Sequence, residues 1–222
     1  MVMLRFDLHV HSNYSRDGQS TIEDILRAAR AKGLDGVAIT DHNTNEGARY
    51  ALQVVDKVTP GLLVIPGEEV STRSGHLIVL GITRDIKPGM SVEETIREAK
   101  KFGGIIVVPH PYNRPRHGIS IPAGADAAEV YNSRFIFGIH NRVAKRKARE
   151  LKLPEVAGSD AHEASMVGSA ITCVDADMDL KDVLESIKHG KTSIIVKKTP
   201  LHIYARQMLH GWIKKLKIFF IH

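Results

Sequence analysis

Cysteine is almost absent from the 222-residue sequence, in which Cys173 is the single example. One thiol can neither form an internal disulfide nor supply a thiolate cluster for zinc. Cys173 lies in the apolar stretch SAITCV, so we expect it to be buried and unreactive. No apolar run reaches the ~18 residues of a transmembrane helix, and the N-terminal segment MVMLRFDLHV does not resemble a signal peptide. We therefore expect a soluble, cytoplasmic protein.

Acidic residues are missing from the last part of the chain. No Asp or Glu occurs from Ser186 to His222, and this stretch contains eight of the 31 Lys and Arg residues. The first 185 residues therefore carry 23 basic and 25 acidic groups, although the whole chain has a formal net charge of +6. A general nucleic-acid-binding surface is not predicted for this slightly acidic body.

Strand-like and helix-like segments alternate along the sequence, which predicts an α/β fold with a mainly parallel sheet and crossover helices. The sequence SVEE at 91–94 predicts a capping box at the start of one helix. The predicted strands are 4–10, 36–40, 62–65, 76–81, 105–108, 127–131, 155–157 and 193–196. The predicted helices are 20–32, 46–58, 91–102, 139–151 and 180–187. We expect one catalytic domain at 1–199 and an appendage at 200–222.

Histidine and carboxylate residues collect where the predicted strands end. The spacing of His9 and His11 places both on one face of a strand, and α/β barrels build their active sites from the loops at this end. Imidazole and carboxylate are ligands for zinc, manganese or iron. A purely structural role would bury several imidazoles without partners, which is costly. The pattern therefore predicts a cluster of metal ions.

Seven short motifs together resemble the PHP (polymerase and histidinol phosphatase) family of metal-dependent phosphoesterases. The motifs are DLHVHS at 7–12, DG at 17–18, TDH at 40–42, PGEEVS at 66–71, HLIVLG at 76–81, PHP at 109–111 and GSDAH at 158–162. The resemblance implies a distorted (β/α)7 barrel with three divalent metal ions, which would be zinc, manganese or iron.

The resemblance also implies which residues hold each ion. The first ion would be held by His9, His11, Glu69 and Asp160. The second would be held by Glu69, His76 and His110, with Glu69 bridging the two. The third would be held by Asp17, His42 and His162. Glu68 is the alternative to Glu69, but the family pattern favours Glu69, and strand alternation sends Glu68 to the other face.

The resemblance implies in-line attack on phosphorus by a hydroxide that bridges the first two ions. The catalytic candidates are Glu69, Asp160 and His117, of which His117 is a candidate general acid; a metal-bound water is the alternative. The substrate-binding candidates are Arg114, Arg116 and Arg134, because guanidinium groups bind phosphate in a bidentate manner. A solvated basic loop is the alternative for the first two. Asp7 and Asp41 are expected to orient imidazoles, or to be solvated carboxylates.

The expected substrates are phosphomonoesters or phosphodiesters, with nucleotides or short oligonucleotides favoured. Related nucleotide phosphoesterases often carry a cap between the ligands equivalent to His76 and His110, but here only 33 residues separate the two. This short connection suggests an open site. Two alternatives are a histidinol-phosphate phosphatase and a non-catalytic RNA-binding barrel subunit.

The sequence from Tyr204 onward predicts a basic amphipathic helix. Such a helix can bind an anionic membrane surface or mediate self-association, and its apolar face can equally pack on the barrel. The apolar residues of this face are Met208, Leu209, Trp212, Ile213, Leu216, Phe219 and Phe220. None of the predicted metal ligands lies in this segment.

Overall fold

The computed structural model describes residues 3–134 and 138–196. The strands are β1 Met3–Val10, β2 Gly36–His42, β3 Leu63–Ser71, β4 His76–Leu80, β5 Ile105–Val108, β6 Ala127–Asn132, β7 Glu155–Gly158, β8 Ala170–Asp175 and β9 Thr192–Val196. The helices are α1 Ile22–Ala31, α2 Glu46–Val58, α3 Val92–Lys101, α4 Ile139–Glu150 and α5 Leu180–Lys188. Two short 3₁₀ helices lie at Arg114–Arg116 and Ala164–Met166.

All nine described strands form one sheet in the order β7-β6-β5-β4-β3-β2-β1-β8-β9. A parallel bridge between Val10 and Ala161 joins the end of β1 to the segment after β7. The hydroxyl of Thr172 also donates to the carbonyl of Ala157 and accepts from its N–H, both at 2.8 Å. These contacts bring the two ends of the seven-strand series together, so the sheet is a nearly closed barrel. The predicted α/β barrel is confirmed.

The sheet is mixed, and the expectation of a mainly parallel sheet is wrong. Four pairings are parallel and four are antiparallel among the described strands. The loop between β3 and β4 is too short for a crossover helix, so β4 runs antiparallel to β3. The strand β4 is also antiparallel to β5. The strand β8, which covers most of the strand-like stretch SAITCV, pairs antiparallel with β1.

The helices follow the local signals of the sequence. The side chain of Thr21 accepts a hydrogen bond from the N–H of Asp24 at the start of α1, as N-cap residues do. The predicted capping box of α3 is present, with Ser91 and Glu94 each accepting from the backbone N–H of the other. The apolar faces of α1 and α2 pack in one cluster against the outside of the sheet, and α3 packs in another. The helices α1, α2 and α3 therefore stabilise the barrel from outside.

The barrel interior is an apolar core at one end and a polar site at the other. Alternate residues of each strand point inward, because successive side chains of a strand lie on opposite faces. Ile65 on β3 and Ile78 on β4 belong to this core, and Val183 and Ile187 of α5 pack against it. The inward row of β3 continues from Ile65 to Glu69, and that of β4 continues back from Ile78 to His76. Strand alternation therefore carries these two residues into the same cavity.

Some boundaries differ from those predicted. The third strand extends to Ser71, well past the predicted end at Ile65, so Glu69 lies within a strand. Cys173 is 5% exposed, as expected, and burial raises the pKa of its thiol. None of the helices in the described ranges is long and apolar enough to cross a membrane. The predicted domain boundary at 199/200 and the predicted C-terminal helix lie outside the described residues.

Candidate metal centre

The structure brings all nine predicted metal ligands to one end of the barrel. A β-bulge between Asp7 and Val10 changes the inward face of β1 from even to odd positions, and His9 and His11 therefore point inward beyond the core. The other positions lie at the ends of β2, β3, β5 and β7, at the start of β4, and in the loop after β1. They are Asp17, His42, Glu69, His76, His110, Asp160 and His162.

The first group surrounds the inward atoms of His9 and His11. The two Nε2 atoms are 3.0 Å apart. Oε2 of Glu69 lies 3.3 Å from Nε2 of His9 and 3.2 Å from Nε2 of His11. Oδ1 of Asp160 lies 3.8 and 3.6 Å from the same two nitrogens. These are the four residues predicted for the first ion.

The second group lies on the other oxygen of Glu69. Its Oε1 atom is 2.9 Å from Nδ1 of His76 and 3.1 Å from Nε2 of His110. Oε2 is also 3.4 Å from Nδ1 of His42. The carboxylate of Glu69, which is 1% exposed, thus lies between the first and second groups.

The third group contains Asp17, His42 and His162, joined by His11. Oδ2 of Asp17 is 2.9 Å from Nε2 of His162 and 3.7 Å from Nε2 of His42. Donor atoms of these four residues all lie within 4.8 Å of one another. The Asp17 side chain is 47% exposed, so this part of the cluster faces the opening of the barrel.

The donor atoms fit divalent cations. His9 and His11 direct their Nε2 atoms at each other and at Glu69, and a single proton cannot satisfy all of these contacts. Within the described ranges, the buried Oδ1 of Asp17 and Nδ1 of His110 also have no hydrogen-bond partner. Imidazole nitrogens mixed with carboxylate oxygens suit zinc, manganese or iron. The cluster is therefore suited to metal binding.

The protonation states favour the same interpretation. Burial alone would raise the pKa values of Glu69 and Asp160, but neighbouring imidazoles, together with Arg134 beside Asp160, hold both pKa values well below their ordinary range. Burial lowers the pKa of His11 and of His42. At neutral pH the two carboxylates are therefore charged and these two imidazoles are neutral, which is the form that binds metals.

Backbone strain is concentrated around the cluster. Among the described residues, six that are not glycine have a positive φ. His110 and Asp160 have φ values of 32° and 52° and are predicted ligands, and Asn43, at 58°, follows another. Tyr112 and His117 lie in the loop after β5 at 65° and 60°. Such conformations cost on the order of 1 kcal/mol each and often occur at functional sites.

The carboxylates of Asp41 and Asp7 have different relations to the cluster. Asp41 accepts hydrogen bonds from the hydroxyls of Ser12 at 2.6 Å and Ser15 at 2.8 Å, and Ser15 Oγ lies 3.4 Å from Nδ1 of His11. Asp7 accepts from three backbone N–H groups and contacts no imidazole of the described residues. The expectation that Asp7 orients an imidazole is wrong, because Asp7 precedes the bulge and faces outward. Burial raises its pKa to about 6.

Arg134 lies beside the cluster. Its Nη1 atom donates to Oδ1 of Asp160 at 3.0 Å and lies 3.2 Å from Nδ1 of His162. The side chain is 20% exposed. Arg134 therefore connects the first and third groups to the opening of the barrel.

Residues of the loop after β5, together with Ser74, Val92 and Glu93, line a cavity of about 600 Å³, and none of the nine predicted ligands is among the lining residues. The ring of His117 stacks on that of His76, with centroids 4.9 Å apart and an interplanar angle of 22°. Tyr112, Arg114 and His117 all line the cavity. Arg116 lies in the same 3₁₀ helix but is not among the lining residues.

Glu129 in β6 is buried within the cluster, and the sequence analysis missed it. Its carboxylate contacts the ring of His9 and the backbone of His110. The only signal in the sequence is one acidic residue inside the apolar strand AAEVYN.

Comparison with known proteins agrees with this arrangement. The chain matches the PHP domain model over residues 7–127 and the PHP-associated model over residues 138–192. An uncharacterized protein of Methanocaldococcus jannaschii is 34% identical over 167 residues, which cover 69% of this chain and 96% of the relative. A phosphoribosyl 1,2-cyclic phosphate 1,2-diphosphodiesterase of Eggerthella lenta is 37% identical over 82 residues, 34% of this chain and 30% of that protein.

A solved structure from Bacteroides vulgatus has a similar fold. It is described as a two-domain protein containing a predicted PHP-like metal-dependent phosphoesterase, and it superposes with a TM-score of 0.74 at 20% identity. The match covers 88% of this chain and 65% of that one. The matched models, the relatives and the barrel agree. The chain therefore belongs to the PHP domain family of metal-dependent phosphoesterases, which are hydrolases of phosphoric ester bonds.

Proposed function

We propose that this protein hydrolyses phosphomonoesters or phosphodiesters, and that its substrates are nucleotides or short oligonucleotides. The observation that carries the proposal is the position of Glu69. Its two carboxylate oxygens lie within 3.4 Å of five imidazoles from four strands and loops. A buried carboxylate shared in this way is suited to bridging two cations, as dinuclear phosphoesterase sites require.

In this proposal the nine clustered residues hold three divalent ions, which are zinc, manganese or iron. The first would be held by His9, His11, Glu69 and Asp160, the second by Glu69, His76 and His110, and the third by Asp17, His42 and His162. Bound cations supply Lewis acidity and a deprotonated water near neutral pH. The protein's part is to keep the carboxylates of Glu69 and Asp160 charged and the imidazoles of His11 and His42 neutral, as the directions of these four pKa shifts favour.

Arg134 is proposed to bind the phosphate of the substrate. Its guanidinium group already lies at the rim of the cluster against Asp160 and His162. The side chain is 20% exposed, so part of the guanidinium group can be reached from the opening of the barrel. A phosphate oxygen can accept hydrogen bonds from a guanidinium group, and the charge of the guanidinium balances that of the phosphate.

The cavity beside His117 is proposed to hold the leaving group. Arg114 offers a positive charge there and Tyr112 an aromatic surface, while Ile119 and Ile121 supply apolar contact. A nucleoside or the next nucleotide of a short chain has matching chemistry, since it combines a flat base with a charged or polar sugar-phosphate. His117 lies between this cavity and His76, where it can donate a proton to the leaving oxygen.

Two other functions are compatible with the sequence motifs. A histidinol-phosphate phosphatase would share the metal chemistry but needs groups that bind an imidazole and an amine. A non-catalytic RNA-binding barrel would not need nine clustered ligands, which favours the enzyme over that alternative.

The test is hydrolysis by protein treated with chelator and then given Mn²⁺ or Zn²⁺. The substrates would be p-nitrophenyl phosphate, its bis-ester, a mononucleotide and a dinucleotide. We expect metal-dependent turnover, with the highest kcat/KM for the nucleotide substrates because they also fill the cavity. Equal kcat/KM for nucleotides and for p-nitrophenyl esters would contradict the proposed substrate class. Absence of hydrolysis of every ester would contradict the proposed activity.

The appendage at 200–222, with its membrane-binding or self-association role, remains a proposal from sequence alone because those residues lie outside the described ranges.

A further inference from the structure

Glu129 connects two of the proposed metal groups although no motif marks it. Its side chain is buried in β6, and the residue is 2% exposed. Oε1 lies 3.0 Å from Nδ1 of His9. Oε2 accepts the backbone N–H of His110 at 2.7 Å and the side-chain amide of Asn132 at 3.0 Å. One carboxylate therefore contacts parts of the chain that are 120 residues apart in the sequence.

The contact with His9 decides which ring nitrogen carries the proton. A carboxylate only accepts hydrogen bonds, so the hydrogen between Oε1 and His9 must lie on Nδ1. With Nδ1 engaged in this way, Nε2 is the ring nitrogen that can offer a lone pair to a cation, and it is the atom directed at Glu69 and His11. A hydrogen bond from the outer nitrogen fixes both the tautomer and the ring orientation of a metal-binding histidine.

The second oxygen extends this control beyond His9. By accepting the N–H of His110, it holds the backbone at the left-handed conformation of that residue. The same Asn132 amide that donates to Glu129 lies 3.3 Å from Oδ2 of Asp160. Glu129 therefore contacts one predicted ligand of the first ion and one of the second, and it reaches a third ligand through Asn132.

The neighbouring strand leaves space for this arrangement. A Cβ atom at Gly158 would lie 2.5 Å from Oε1 of Glu129 and 2.5 Å from Cβ of His9. Such contacts are far shorter than van der Waals separation, so any larger residue would displace the carboxylate or the imidazole. Glycine at the end of β7 thus allows Glu129 and His9 to meet.

We propose that Glu129 is a positioning residue for the metal cluster, which holds His9 with Nε2 free to bind a cation and fixes the loop that carries His110. The proposal rests on the proposed metal-dependent function, because a tautomer matters here only if His9 binds a cation.

The test replaces the carboxylate with an amide of the same shape. In Glu129→Gln, the remaining oxygen is held where two donors converge, from His110 and Asn132. The new amide then donates toward Nδ1 of His9, which forces the proton onto Nε2 and blocks the atom that faces the cluster. We expect Zn²⁺ affinity, measured by competition with a chelator, to fall about 10- to 100-fold.

The matched control is Glu68→Gln, which changes another buried carboxylate that contacts no predicted ligand. We expect its Zn²⁺ affinity to equal that of the unmodified protein. Thermal unfolding of the metal-free proteins would show whether either change acts through the fold. Unchanged Zn²⁺ affinity in Glu129→Gln, or an equal loss in Glu68→Gln, would overturn the proposal.

A measurement on the unmodified protein keeps the inference testable if Glu129→Gln does not fold. Long-range ¹H–¹⁵N correlation spectra of the zinc-loaded protein report which nitrogen of His9 is protonated. We expect hydrogen on Nδ1 and metal on Nε2, and the reverse assignment would overturn the proposal. Failure of the wider function would look different, because the unmodified protein would then bind no Zn²⁺ at this cluster.

Discussion

Glu68 and Glu69 are neighbours on β3, and both are almost completely buried, at 0% and 1% exposure. Glu69 points into the barrel, where five imidazoles surround it, and its pKa lies well below the ordinary value. Glu68 points outward and accepts one hydrogen bond, from the N–H of Ile86 at 2.6 Å. Burial raises the pKa of Glu68 to about 8. At neutral pH, Glu69 is therefore ionised, whereas its neighbour Glu68 is mostly protonated and uncharged.

The difference teaches that burial alone does not determine the state of a carboxyl group. Burial raises both pKa values, but on the inner face the imidazoles outweigh it. The alternation of a strand assigns each residue to its face. The inner face therefore supplies the chemistry, and the outer face supplies packing against the helices and loops.

The largest expected effect comes from replacing the carboxyl group on each face of β3 with an amide, one residue at a time. Glu69→Gln should lower kcat/KM by at least about 100-fold, because an amide cannot replace a carboxylate between two cations. Glu68→Gln should leave kcat/KM within about 2-fold, because Glu68 is mostly protonated already and contacts no ligand. Steady-state kinetics with elemental analysis of each variant checks both. Equal activity in the two variants would remove the distinction between the faces.

A smaller effect is expected at the rim of the inner face. Arg134→Ala should raise KM for phosphate esters about 10-fold or more, because a charge-assisted hydrogen bond contributes roughly 1.5–3 kcal/mol. Metal content should be unchanged. Arg142→Ala, on the exposed side of α4, is the control and should keep its KM. Loss of metal in Arg134→Ala would mean that the guanidinium supports Asp160 rather than the substrate.

A still smaller effect is expected for Arg114, which lies in the loop after β5 and lines the cavity. Arg114→Ala should raise KM about 3- to 10-fold for a dinucleotide and leave KM for p-nitrophenyl phosphate unchanged. The reason is that Arg114 lines the cavity beside His117 and has no contact with the cluster itself among those described. A uniform change for both substrates would contradict a role in holding the leaving group.

Glu68 on the outer face should make the free energy of unfolding depend on pH. The pKa of Glu68 is about 8 in the folded protein and near 4.5 when exposed, so the folded state binds more protons between these values. Stability contributed by this group is therefore lost as pH rises from about 5 to 8. Glu68→Gln should abolish that loss. Between pH 5 and pH 8, its free energy of unfolding should rise by about 1–4 kcal/mol relative to that of the unmodified protein. Urea unfolding of metal-free protein at several pH values measures it, and parallel curves would contradict the assignment.

The metal-ligand candidates could be predicted from sequence because short motifs and strand alternation act locally. His9 and His11 share a face by spacing. The family pattern favours Glu69 over Glu68, strand alternation places the two on opposite faces, and the structure points Glu69 into the cluster. Their role as ligands stays a prediction.

Other features depend on contacts between distant segments. The bulge in β1 that turns Asp7 outward leaves no signal in the sequence. Glu129 is one carboxylate in an apolar strand. Its contact with His9 forms only because the closure of the barrel brings β1 next to β7, the strand that pairs with β6. The antiparallel course of β4 and β8 likewise follows from pairing, which a pattern of apolar residues does not specify.

The most direct test of the account is a metal titration of the metal-free, full-length protein. Mn²⁺ or Zn²⁺ would be added stepwise while bound metal and hydrolysis of a dinucleotide and of p-nitrophenyl phosphate are followed together. We expect hydrolysis to rise with occupancy and to reach its maximum as three ions bind per chain, and we expect Glu69→Gln to bind fewer ions. A protein that binds no metal at the cluster, or whose activity does not depend on bound metal, would contradict it.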